Sequence, residues 1–68
     1  MSAQEKIKAF RRLILEESKS PISLKELKTK TNVTDINYPS FMEALEELEL
    51  SGEIHIKDET IVNSNERS

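Results

Sequence analysis

Residues 48–56 read LELSGEIHI, and the spacing of their apolar residues changes at Gly52. Before Gly52 the apolar positions follow the 3.6-residue period of a helix, and after it they alternate as in a β-strand. Gly52 is the only glycine in the chain, and it suits the left-handed position that ends a helix. The stretch therefore predicts a helix that ends at Gly52 and a strand that begins directly after it.

The residues after this strand predict a β-hairpin over residues 53–62. Residues 60–62 are all β-branched, which indicates a returning strand. The two residues between the strands, Asp58 and Glu59, lack the Gly or Asn that a two-residue hairpin turn favours. His55 alternates outward between two isoleucines and is expected to face solvent.

The helix before Gly52 is predicted over residues 40–50. Its core face carries four apolar residues, Phe41, Ala44, Leu45 and Leu48. Its start is open between two alternatives: Pro39 as the first helical residue, or Ser40 as a cap with Glu43 as its partner. Tyr38, like Phe41, is expected in the core, because small domains use their few aromatic residues there.

A first helix is predicted over residues 3–17. Apolar residues recur on one of its faces at Ala3, Ile7, Phe10 and Ile14. Ser2 and Glu5 fit a capping box at its start. Pro21 follows the helix and excludes its continuation, because the residue before a proline avoids the helical region.

A second, short helix is predicted over residues 24–31. Ser23 and Glu26 form another capping box, so its start is well defined. The polar turn that follows is expected to be anchored inward by Val33 and Ile36.

The predicted order is α-β-α-α-β-β, with the extended residues near Ile22 as the first strand. Three helices closed by a small antiparallel hairpin make a winged helix, so the predicted fold class is α+β with a single winged-helix domain. We place this domain at residues 1–62. Residues 63–68 read NSNERS and offer nothing to bury, so we expect a flexible tail there.

The composition excludes several classes of protein. The chain has 68 residues with one His and no Cys, so it can build no disulfide, no cysteine–histidine pair and no His-rich metal site. The longest apolar run, residues 13–15, is far shorter than the roughly 20 residues that span a bilayer. We expect an intracellular, non-catalytic domain with no cofactor, no metal, no small-molecule ligand and no membrane partner.

The charge is divided unevenly along the chain. Lys and Arg number 10 against 13 Asp and Glu, a net charge of -3. Residues 1–30 nevertheless hold eight bases and four acids, whereas residues 31–56 hold six acids and neither Lys nor Arg. The chain therefore combines a basic first half with an acidic middle, and arguments about partners depend on this division.

The third helix is predicted to carry an acidic outer face with four glutamates, and the candidate partner site takes three of them, Glu43, Glu46 and Glu47, with Glu49 beside them. Met42 and Leu50 lie off its core stripe, and an apolar pair among glutamates predicts a docking site for a basic or amphipathic segment of another protein. For the glutamates the alternative is a well-solvated helix face. For the apolar pair it is a frayed helix end, with Leu50 tucked under the hairpin. Reading of DNA by this helix is disfavoured, because carboxylates oppose contact with phosphates.

Basic residues on the first two helices and on the hairpin are candidates for weak, non-specific contact with nucleic acid. They are Lys6, Lys8, Arg11, Arg12, Lys25, Lys28, Lys30 and Lys57. No aromatic residue is interleaved with them, which weakens binding of single strands by stacking. The alternatives are solubilising charge, or an ionic contact with the acidic face of a neighbouring copy or domain.

The element order and residues 48–56 resemble winged-helix domains in which a leucine-rich third helix ends in Gly before the hairpin, or wing. Residues 2–8, SAQEKIK, resemble the opening of the C-terminal winged helix of MCM replicative helicases. The chain is also similar to the C-terminal winged helix of the middle subunit of replication protein A, which docks peptides from other proteins. The resemblance covers residues 2–62 and implies a non-catalytic appended domain.

These observations predict a protein-interaction and regulatory module of a DNA replication or processing assembly. The alternative function is that of a small winged-helix transcription regulator, which would bind DNA through its basic first half and its wing. A homodimer that pairs the basic and acidic halves is a third option.

Overall fold

The computed structural model describes residues 3–64 and confirms the predicted α+β layout. Over these residues the elements are α1 (Ala3–Glu17), β1 (Ile22–Ser23), α2 (Leu24–Lys30), α3 (Tyr38–Leu50), β2 (Ile54–Lys57) and β3 (Thr60–Asn63). The strands form one antiparallel sheet in the order β1-β3-β2. No helix within the described range is long and apolar enough to cross a membrane.

The core lies where α1 packs against α3 and the sheet closes over both helices. Phe10, Leu45 and Leu48 retain 7%, 3% and 2% of their exposure, which confirms that they are buried together. Phe10 and Phe41 meet edge to face, with ring centroids 5.6 Å apart and an interplanar angle of 85°. The core also contains the sheet residues Ile22, Ile54 and Ile61.

Two helices end with a residue in the left-handed conformation, and the sequence analysis predicts this for Gly52. Gly52 has a φ of 83°, and the amide of Glu53 donates to the carbonyl oxygen of Leu48 at 2.9 Å. Asn32 ends α2 in the same left-handed conformation, with a φ of 58°, because asparagine tolerates this conformation better than most residues. At the start of α2, the Ser23 hydroxyl accepts a hydrogen bond from the Glu26 amide at 3.1 Å, as predicted.

The third helix begins at Tyr38, two residues before the predicted start, so Ser40 is not its cap. Pro39 lies in the first turn, where its missing N–H leaves no helical hydrogen bond unmade. The expectation of a buried Tyr38 is wrong, because the residue is 43% exposed, and its ring centroid lies 5.5 Å from the Lys28 ammonium. Ile36 is 86% exposed and does not anchor the turn.

The wing turn adopts a conformation that its residues disfavour. Asp58 and Glu59 have φ values of 53° and 59°, so both are left-handed, as a two-residue primed hairpin turn requires. The turn forms although neither residue is Gly or Asn, because Ile54, Ile56 and Ile61 fix the register of the two strands by burying one face of the hairpin.

The domain extends beyond the predicted boundary at residue 62. Asn63 is the last residue of β3 and only 8% exposed, and the amide of Ser64 donates to the carbonyl oxygen of Glu53 at 2.9 Å. Residues 63 and 64 therefore do not belong to a tail. The rest of the predicted tail, and the predicted cap at Ser2, lie outside the described residues.

Candidate functional site

A groove of about 530 Å³ runs between α3 and β2, and we name it the α3 groove. Its lining residues are Pro39, Met42, Glu43, Leu45, Glu46, Glu49 and Ile56. The apolar part of this lining comes from Met42, Leu45 and Ile56, and both Met42 and Ile56 also pack against the core. Carboxylates supply all of its charge, so the α3 groove combines a small apolar floor at Met42 and Ile56 with an acidic rim.

The spacing of α3 explains how one helix supplies both the core and the groove. Phe41 and Leu48 are seven residues apart and point to the core, with 0% and 2% exposure. Met42, Glu46 and Glu49 follow one another at helical spacing on an adjoining face, turned about 100° from the core face. The sequence thus places the glutamates beside the core residues along the whole length of α3.

The acidic residues of α3 repel one another and the end of their own helix. Glu43, Glu46 and Glu49 are three residues apart, so each like-charge pair lies on neighbouring turns. The last turn of α3 contains no basic residue, although the negative end of the helix dipole favours cations there. A cation bound in the α3 groove would relieve both repulsions.

The structure brings together only part of the predicted partner site. Met42, Glu43 and Glu46 line the α3 groove, whereas Glu47 and Leu50 do not. The Glu47 carboxylate instead accepts a hydrogen bond from the Arg11 guanidinium at 2.9 Å, and this ion pair joins α3 to α1. Leu50 is 80% exposed, so the alternative in which it tucks under the hairpin is also wrong.

The sequence analysis did not assign Pro39 or Ile56 to the site, and it placed Glu49 on the acidic face without including it among the partner-site residues. Glu49 follows Glu46 by three residues, so its place on the same helix face was readable from the spacing. Ile56 carries no such signal, because its approach to Met42 and Leu45 depends on how β2 packs against α3.

The structure distributes the candidate nucleic-acid residues over three elements. Lys8, Arg11 and Arg12 lie on α1, where Arg11 pairs with Glu47 and the other two line a shallow depression with Glu5. Lys25, Lys28 and Lys30 lie on α2, and Lys28 lies against the Tyr38 ring. Lys57 is exposed at the end of β2, near His55, which is exposed as predicted.

Comparison with protein-family models, with curated proteins and with solved structures gave no match.

Proposed function

We propose that this domain is a non-catalytic docking module that receives a basic, amphipathic segment of another protein in the α3 groove. The observation that carries this proposal is the combination of the half-buried apolar residues Met42 and Ile56 with three carboxylates along one helix face. A partner would bury apolar side chains against Met42 and Ile56 and place Lys or Arg beside the glutamates. Ionic steering would then add to the burial of apolar surface.

The spacing of the carboxylates favours a partner that binds as a helix. Glu43, Glu46 and Glu49 rise along α3 in steps of about 4.5 Å. A helical partner presents bases three or four residues apart on one face, in steps of roughly 4.5–6 Å. A partner strand presents same-face side chains in steps of about 6.7 Å, which fall out of register with the glutamates.

The sheet edge beside the groove offers little to an extended partner. Asn63 is paired with Ile54 in the sheet register, yet its amide donates to the Ser18 carbonyl at 3.1 Å. Because bonded positions alternate in an antiparallel pair, the backbone groups of Ile54 and Ile56 point to the outer edge of β2. Ile54 has 0% exposure, so only the backbone groups of Ile56 remain open to form hydrogen bonds with an added strand. Addition of a strand depends on a longer run of open backbone groups.

The wider assignment to a DNA replication or processing assembly is supported by the sequence resemblance to the MCM and replication protein A domains. For that assignment the α3 groove supplies the docking surface, and the partner is a protein segment instead of a specific DNA site. Duplex DNA is expected to bind no better than the ~10⁻⁴–10⁻⁶ M of non-specific binding at physiological salt, because the glutamates of α3 repel phosphate.

The test is a titration of the domain with two ligands, a helical peptide that carries lysines beside leucines and a short DNA duplex. Glu46→Lys and Glu49→Lys are each expected to weaken peptide binding at least about tenfold at low salt and to strengthen duplex binding. Glu16→Lys is the matched control, since it makes the same charge change on α1, away from the groove, and is expected to leave peptide affinity within about twofold of wild type.

Nanomolar binding of a defined duplex by the wild type, weakened by Glu46→Lys, would replace the docking function with that of a DNA-binding regulator. Equal peptide affinity in the wild type and in both groove variants would also overturn the proposal, because the α3 groove would then take no part in binding.

A further inference from the structure

A second groove, of about 400 Å³, lies between α1 and the turn that joins α2 to α3, and we name it the α1 groove. Phe10, Ala9 and Leu13 line it from α1, and Ile36 lines it from the turn. Leu13 is 40% exposed and Ile36 is 86% exposed, so two large apolar side chains flank one depression. None of the residues that line the α3 groove lines this one.

The turn that holds Ile36 is braced by its own side chains. The Thr34 amide donates to Asn37 Oδ1 at 2.6 Å, and the Asn37 amide donates to Thr34 Oγ1 at 3.3 Å. Asn37 Nδ2 also donates to the carbonyl oxygen of Asn32 at 3.3 Å. Ile36 is therefore presented to solvent on a fixed support. A preorganised apolar side chain loses little freedom on binding, which is typical of residues that dominate an interface.

The charge of the α1 groove is opposite to that of the α3 groove. Lys6 is the only charged residue among the described residues that line it, and the remaining polar lining consists of Thr and Asn side chains. A partner that bears carboxylates beside its apolar residues is therefore attracted by Lys6 in the α1 groove and repelled by Glu43, Glu46 and Glu49 in the α3 groove. A basic partner is attracted by the α3 groove and repelled by the α1 groove.

We propose that the α1 groove binds an acidic, amphipathic segment of a protein, which buries apolar side chains between Leu13 and Ile36 and pairs a carboxylate with Lys6. The two grooves then select segments of opposite charge, and the domain holds two different partners at once. Binding by the α1 groove goes beyond the docking function of the α3 groove, since it concerns other residues and stands if the α3 groove binds nothing; only the simultaneous binding of two partners rests on the proposed function.

The test uses the ¹⁵N-labelled chain and a short helical peptide with leucines four residues apart, flanked by glutamates. The peptide is expected to shift the amide signals of Ala9, Leu13 and Ile36 and to leave those of Met42 and Glu46 in place. Ile36→Ser is expected to weaken binding at least about tenfold, as loss of an interface anchor. Leu50→Ser is the matched control, because Leu50 is also highly exposed but lies outside the lining of both grooves, and its affinity is expected to equal that of the wild type.

Charge selection is tested by Lys6→Glu with the same peptide and with a copy in which lysines replace the glutamates. The wild-type α1 groove is expected to prefer the acidic peptide, and Lys6→Glu to prefer the basic one. The proposal is overturned if the acidic peptide shifts no α1-groove signal at millimolar concentration, or if Ile36→Ser binds as well as wild type. It is equally overturned if these signals move on dilution of the protein alone, since a second copy would then occupy the groove.

Discussion

The side-chain amide of Asn63 donates a hydrogen bond to the carbonyl oxygen of Leu15 at 3.0 Å, across 48 positions of the sequence. Leu15 lies in the last turn of α1, where carbonyl groups have no partner within the helix. The backbone amide of Asn63 also donates to the carbonyl oxygen of Ser18, just past the helix, at 3.1 Å. The last residue of the sheet thus caps the first helix, and this joins the two ends of the described domain.

Asn63→Ala is expected to lower the free energy of unfolding by about 1 kcal/mol, because it leaves the part-buried Leu15 carbonyl with only the longer hydrogen bond from the Ser18 hydroxyl at 3.4 Å. Urea denaturation followed by circular dichroism measures the change. Val62→Thr is the control, since its side chain is 37% exposed on the other face of the strand, and its effect is expected to stay within about 0.5 kcal/mol. Equal stability of the Asn63→Ala variant and the wild type would show that the cap contributes nothing.

Leu48→Ala and Leu50→Ala make the same change two residues apart on α3. Leu48 is 2% exposed, so its truncation is expected to cost about 2–5 kcal/mol and to unfold much of a domain this small. Leu50 is 80% exposed, so its truncation is expected to change stability by less than about 0.5 kcal/mol. Thermal unfolding of both variants checks the helix face, and similar costs at the two positions would contradict it.

The wing turn is expected to be improved by residues that accept a positive φ. Replacing Asp58 by Asn and Glu59 by Gly together is expected to raise the free energy of unfolding by about 1 kcal/mol, because both positions are left-handed. Glu59→Gln is the control, since it removes the charge and retains the backbone strain. A gain from Glu59→Gln as large as that from the double replacement would assign the effect to charge instead of conformation.

The acidic face of α3 is expected to reduce the stability of the free domain. Glu46→Gln removes repulsion with Glu43 and Glu49, so it is expected to add about 0.5 kcal/mol. Glu47→Gln is the contrasting variant: it relieves repulsion with Glu43 and with the end of the helix dipole, but it also breaks the ion pair with Arg11, and the two effects are expected to cancel. Unfolding at low and high salt measures both, and the gain from Glu46→Gln is expected to shrink in high salt, which screens the repulsion.

The candidate site was predictable from the sequence only in part. Helical spacing places Met42, Glu43 and Glu46 on one side of α3, which is sufficient to identify an acidic, partly apolar face. The same spacing cannot tell that Glu47 faces α1 and finds Arg11, since the two residues are 36 positions apart. The second wall of the groove, Ile56, is also beyond the reach of any local pattern, because β2 meets α3 only in the folded domain.

The sequence by itself determined the elements of this protein. The change of apolar period at Gly52, the capping box at Ser23 and the apolar stripe of α3 act within a few residues, and the three helices and the hairpin follow from them. Only the tertiary structure decided which polar residues are used inside the fold. From the sequence, Asn63 is predicted to lie in a polar tail, but in the fold it donates to a carbonyl at the end of α1. Ile36 is predicted to anchor the turn, but the hydrogen bonds between Thr34 and Asn37 hold the turn with Ile36 facing outward. The physical reason is that helices, strands and caps depend on the spacing of residues within one short segment, whereas hydrogen-bond partners and grooves depend on which segments, distant in the sequence, meet in the fold.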